Sequence, residues 1–117
     1  MSMNISEAAR ISELTPVTLR YYERIGLIPP VKRKNGGVRD YGEDDLTWID
    51  FIKCMRTAGL SIESLIEYTK LFPEGDATAA ARKEILIEER NRLEERYKIL
   101  GITLNKLNDK IDWYEKC

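Results

Sequence analysis

Leu14-Thr15-Pro16-Val17-Thr18-Leu19-Arg20-Tyr21-Tyr22-Glu23-Arg24-Ile25-Gly26 carries the start, body and end of one short helix. Thr15 suits its N-cap, Pro16 its first turn and Gly26 a left-handed end. Val17, Leu19, Tyr22 and Ile25 give it an apolar side; Thr18, Arg20 and Tyr21 give it a polar one. So small an apolar face does not hold a helix by itself, so neighbouring elements must.

Upstream, Asn4-Ile5-Ser6 leads into Glu7-Ala8-Ala9-Arg10-Ile11, a second short helix with Ser6 as its expected cap and Glu7 in its first turn. Ser12-Glu13-Leu14 separates the two. Short helices joined by about three residues fit a helix-turn-helix, whose second helix enters the DNA major groove. Thr18, Arg20 and Tyr21 would then face phosphates or base edges. Downstream, Pro29-Pro30 prevents the helix from continuing. Lys32, Arg33, Lys34 and Arg39 flank Asn35-Gly36-Gly37, and Tyr41 follows. Asn-Gly favours a hairpin, so this stretch predicts a two-stranded basic wing that reaches the DNA backbone beside the groove.

The 117 residues suffice for one modest domain, or for a small domain plus a helix that finds its core in a partner. The net charge of -1 hides an asymmetry: residues 1–41 carry +3 and residues 42–117 carry -4. The first part suits a polyanion. No apolar run approaches the roughly 18 residues of a membrane span, and MSMNISEAAR lacks the features of a secretory signal, so a soluble, cytoplasmic chain with no membrane partner is expected. Cys54 and Cys117 are too far apart and too few for a disulfide scaffold, and Cys117 reads as incidental.

From Gly42 the pattern changes. A helix is expected to start at Asp44 or Asp45, bury Leu46, Ile49, Ile52 and Met55, and stop at Gly59; Ser61 caps the next, which runs through Ile62, Leu65, Ile66 and Tyr68 to Phe72. Trp48 and Phe51 read as packing residues. Tyr68, Leu71 and Phe72 form either core or a small apolar pocket where the last helix meets them. Pro73-Glu74-Gly75-Asp76 breaks the chain. From Thr78 to near Glu115, Leu86, Leu93, Leu100, Leu107 and Tyr114 recur every seventh residue, with Tyr97, Leu104 and Ile111 at the complementary position and Arg90 interrupting it. A helix of roughly 37 residues spans about 55 Å and needs a partner for its apolar edge. Self-association, parallel or antiparallel, is the first expectation; folding back onto the N-terminal unit is the other.

TLRYYERIGLIPP, a Gly-rich basic wing with R-x-Y at Arg39 and Tyr41, the D-D-L-x-x-I-x-F-I run from Asp44 to Ile52 and a long terminal helix together resemble the MerR family of bacterial transcription regulators. The resemblance implies an all-α fold with a small β wing: a winged helix-turn-helix DNA-binding domain with supporting helices over 1–75, and a dimerisation helix over 76–117 that forms an antiparallel coiled coil. It implies a homodimer on a palindromic operator in double-stranded promoter DNA, which it bends and untwists for RNA polymerase. By position, Arg20, Tyr21, Arg39 and Tyr41 are the expected backbone clamps, and Val17 and Thr18 the base-facing residues. Arg10 and Arg24 have either an assisting or a surface role. Val38 replaces an aromatic common after the Gly-Gly pair in the family, and Asp40 is expected to turn away from phosphate.

FIKCMRTAGLSIE, around Cys54, resembles a short subgroup of that family that answers reactive aldehydes and other electrophiles through one cysteine. Lys53 and Arg56 lie close in sequence to Cys54; the competing reading is a buried thiol acting as a small hydrophobe. With no histidine and no cysteine between Cys54 and Cys117, neither a metal cage nor a cofactor is expected. So short a stretch after the long helix leads to the expectation of no separate effector domain. No phosphate-cradling loop or acid-base constellation supports an enzyme. The functional alternatives are a protein-interaction adaptor and a nonspecific architectural DNA binder.

Overall fold

Asn4, not Ser6, caps the first helix. In a computed structural model, which describes residues 2–116, Asn4 is extended and its side chain accepts the Glu7 N–H at 2.9 Å; α1 runs Ile5–Ser12, with Ser6 inside it. Cys117 lies outside the described residues. Glu13 ends α1 at a φ of 56°, and its left-handed turn redirects the chain. The next helix, α2, runs Pro16–Ile25. Thr15 Oγ1 accepts the Thr18 N–H at 3.1 Å, and Gly26 closes the helix at a φ of 87°, both as the residue types require.

The wing is two short antiparallel strands, β1 (Arg33–Lys34) and β2 (Val38–Arg39), with Arg33 opposite Arg39 and Lys34 opposite Val38. Asn35–Gly37 makes a three-residue connection rather than a two-residue turn. Gly36 and Gly37 both take positive φ, which side chains would resist. A contact not read from the sequence extends the wing: Met3 and Tyr41 exchange backbone hydrogen bonds of 3.0 and 2.8 Å, tying the N-terminus to the end of β2.

Helix α3 (Glu43–Thr57) starts where the Asp45 carboxylate accepts the Gly42 N–H, and α4 (Ile62–Leu71) starts where Ser61 accepts the Ser64 N–H. Ala8 and Ala9 of α1, Leu19 and Tyr22 of α2, Ile49 and Ile52 of α3 and Leu65 of α4 converge on one core with Leu27, Ile28, Val31 and Tyr41. Full burial of each Leu or Ile contributes roughly 1.5–3 kcal/mol, which is how α2 is held despite its small apolar face.

After a 3-10 turn, Phe72–Thr78, α5 runs Ala79–Glu115 without interruption. Its first part packs back against α4 and the α3–α4 connection, as far as Arg96. The residues from 90 to 116 are exposed, and the molecule measures 69 × 35 × 21 Å with a radius of gyration of 19.3 Å, against about 13 Å for a compact chain of this length. Among the described residues no helix is long and apolar enough to cross a membrane.

Candidate nucleic-acid interface

The outer face of α2 gathers Val17, Thr18, Arg20, Tyr21 and Arg24 around a shallow concavity of about 340 Å³. Val17 is 70% exposed, so it belongs to this face and not to the packed side that its hydropathy suggested. Thr18 is partly held, since its hydroxyl accepts from Thr15 at 3.0 Å. The Arg24 guanidinium lies 5.6 Å from the Tyr21 ring centre, which keeps both side chains at the surface. Lys32, Arg33 and Lys34 are exposed on the wing. Arg33 donates to the Gly37 carbonyl at 2.8 Å across the wing tip.

Arg39 Nε lies 2.7 Å from Glu23 Oε1, a contact that ties β2 to α2. The other residue of the expected wing pair is placed in the core. Tyr41 is fully buried, because its ring fills the core between the wing and the helices. Its hydroxyl has no hydrogen-bond partner among the described residues. An unmade buried bond costs about 1–3 kcal/mol. Tyr41→Phe is therefore expected to raise the unfolding free energy by roughly 1 kcal/mol in a urea titration and to leave DNA affinity unchanged; weaker DNA binding would return Tyr41 to the clamp. Asp40 accepts from the Ser2 hydroxyl.

Glu23, which the sequence did not single out, joins the pieces. One carboxylate oxygen takes Arg39 and the other accepts the Val31 N–H at 3.0 Å, so α2, the segment before β1, and β2 meet at one side chain. Burial alone would raise its pKa; Arg39 and the Val31 N–H outweigh that and hold it below the ordinary value. Its position sixteen residues from Arg39 carries no local pattern. Only the folded chain brings them together.

Cys54 is exposed, which removes the reading of it as a buried hydrophobe. It shares a surface hollow with Asp50, Lys53, Thr57 and Ala58. Neither neighbouring cation is committed to the thiol: Lys53 donates to the Ser12 carbonyl at 2.8 Å, and Arg56 donates to that of Leu60. The apolar cleft near Tyr68 and Phe72 lies between α3 and α4, lined by Thr47, Trp48 and Phe51, without α5 or Leu71; Trp48 and Phe72 meet edge-on at 5.1 Å.

Along α5, Leu93, Tyr97, Leu100, Leu104, Leu107, Ile111 and Tyr114 are exposed at 3–4-residue spacing, while Leu86 is half-buried beside the N-terminal unit. Ile99, Ile102 and Trp113 add exposed apolar surface off that line.

Two helices across a turn, a basic wing on one side and an exposed polar helix face define a winged helix-turn-helix protein. The sequence model of MerR HTH family regulatory proteins matches residues 3–71, and the chain belongs to that family. AdhR, a transcriptional regulator of Bacillus subtilis, is 68% identical over 91 residues, 78% of this chain and 65% of AdhR. HmrR of Sinorhizobium medicae is 35% identical over 92 residues, 79% of this chain and 63% of HmrR. The chain thus spans just under two thirds of each of these relatives. Among solved structures, a MerR family transcriptional regulator from Listeria monocytogenes superposes with a TM-score of 0.95 at 50% identity, over 97% of this chain and 86% of that one. HiNmlR, a MerR family regulator lacking the sensor domain and bound to promoter DNA, gives 0.89 at 26% identity, over 99% and 92%.

Proposed function

We propose that this chain is a sequence-specific transcription regulator that binds a palindromic promoter operator as a homodimer, distorts the DNA for RNA polymerase, and is switched by modification of Cys54. The observation that carries the reading is the α2 face of Val17, Thr18, Arg20, Tyr21 and Arg24 flanked by Lys32, Arg33 and Lys34. A helix presents side chains to base edges while the wing's cations take phosphates on either side. The likeness to a family member held on promoter DNA supports it. Exposed Leu93, Tyr97, Leu100, Leu104, Leu107, Ile111 and Tyr114 supply the dimer seam, beginning at Leu86, so residues 1–75 read DNA and 76–117 pair.

The exposed Cys54 thiol is open to an aldehyde. Sγ adds to the carbonyl carbon, the carbonyl π bond breaks, and the thiol proton passes to the oxygen; a hemithioacetal forms and nothing is lost.

Selection from a random duplex pool with reduced protein, repeated after exposure to a mild aldehyde, tests both parts. Enrichment of one palindrome is expected. Aldehyde should then alter promoter distortion in the wild type and have no effect in Cys54→Ser. An unstructured pool with steep salt dependence would leave a nonspecific architectural binder, and an aldehyde response surviving in Cys54→Ser would remove the thiol from the mechanism.

A further inference from the structure

Glu89 is the one charged side chain of α5 that is buried, 3% exposed among otherwise accessible neighbours. Its Oε1 accepts the Ser61 N–H at 3.0 Å, and its Oε2 takes Arg92 at 3.1 Å. Burial alone would raise its pKa, but the Ser61 N–H, the Ser64 hydroxyl and Arg92 hold the carboxyl below its ordinary value, so it stays ionised where it sits. Two turns further along α5, Arg96 donates to the Gly59 carbonyl at 3.3 Å. Both ends of the α3–α4 connection are thus gripped from α5. Gly59 takes a φ of 87°, and a side chain there would collide with the Arg96 guanidinium, so this close approach depends on glycine.

The grip closes a hairpin. Helices α4 and α5 are joined covalently at one end through the turn Phe72–Thr78, which is held by Thr78 donating to the Leu71 carbonyl and Arg82 to that of Gly75. At the other end Glu89 and Arg96 hold the α3–α4 connection against α5, beyond the half-buried Leu86. The rest of the reading unit hangs on α3 and α4, since α1 packs on α3 and Lys53 ties α3 to Ser12. A ten-residue helix is about 15 Å long, so opening the grip and pivoting α4 by about 13° moves its far end by roughly 3.4 Å. One base pair of operator spacing is about 3.4 Å of rise with a rotation of about 35°.

We infer that the Glu89–Ser61 and Arg96–Gly59 contacts set the angle between the reading unit and the dimer helix, and so select the spacing between operator half-sites. The inference rests on the dimeric, palindrome-reading function proposed above. Glu89 and Arg96 are positioning residues: they lie on α5, apart from the α2 face and the wing, and act through α4.

The test is a set of duplexes with the selected half-sites held constant and the spacer lengthened or shortened by one base pair, with affinities measured for the wild type, Glu89→Ala, Glu89→Gln and Arg96→Ala. The wild type should prefer one spacing. The preference should fall about tenfold in Glu89→Ala and about threefold in Arg96→Ala, where an exposed side chain is removed and folding is not at risk. Glu89→Gln keeps an acceptor for the Ser61 N–H and should keep most of the preference. If both alanine variants melt lower and retain the wild-type spacing preference, the contacts only stabilise the fold and the inference is overturned. If the wild type enriches no palindrome at all, the DNA-reading function itself fails and the spacing role falls with it.

Discussion

Leu100→Lys is expected to leave the chain monomeric at micromolar concentration in light scattering and to weaken operator binding at least about a hundredfold. Leu100 is 67% exposed near the middle of the proposed seam, where a partner helix would bury it whichever way that helix runs. Each buried leucine contributes roughly 1.5–3 kcal/mol, and two-fold symmetry removes two of them at once while placing two ammonium groups in the interface. The association constant then falls by about two to four powers of ten. Half-site binding by a monomer loses the gain that linked sites provide. Leu100 lies one turn beyond Arg96, which reaches the Gly59 carbonyl, and its own side chain is exposed, so the melting of the N-terminal unit should change little. A dimer mass in Leu100→Lys would show that pairing does not use this seam.

Glu23→Ala should cost about 3 kcal/mol of stability and lower the melting temperature by more than about 10 °C. The loss has two parts. Arg39, only 24% exposed at its side chain, is left without its carboxylate, and the Val31 N–H loses its acceptor beside a residue that is 4% exposed. With Arg39 released, β2 is no longer fixed to α2, so DNA affinity should fall further than stability alone requires. Glu23→Gln keeps an acceptor for Val31 and should lose about half as much. The acid limb gives a second reading. Glu23 has a folded pKa below its ordinary value of 4.5, so its contribution is complete above that value and disappears as pH falls through the folded one. The wild type should therefore lose stability more steeply than Glu23→Gln below about pH 4.5. Equal slopes and equal melting temperatures in the two proteins would mean that Glu23 does not hold the wing.

Local chemistry carried most of the element boundaries. Thr15 and Ser61 cap the helices they precede, Gly26 ends α2, and Gly36 and Gly37 turn the wing, because each depends on contacts within a few residues. Asn4 displaced Ser6 at the start of α1 because both residue types cap equally well, and the extended backbone needed by a cap is found at Asn4. The candidate reading face was legible in part: Arg20 and Tyr21 stand with Val17 and Arg24 at i, i+3, i+4 and i+7 on one side of α2 with Thr18 at its edge, although the hydropathy of Val17 pointed it inward.

What failed to show in the sequence are contacts made with distant partners. Arg39 and Tyr41 sit in a motif that reads as two clamps, yet one neutralises a glutamate from another element and the other fills the core. Glu23 and Glu89 look like ordinary surface acids, since nothing within a helical turn marks them for burial.

The sequence by itself determined the order of helices and wing, the basic charge of residues 1–41 and the heptad pattern of the last helix, all of which follow from residue type and spacing along one chain. Only the tertiary structure decided which charges are spent internally, that Cys54 is open to solvent, and that α5 grips the turn between α3 and α4. Those outcomes depend on which side chains lose water together, and desolvation is a property of the packed chain rather than of any segment of it.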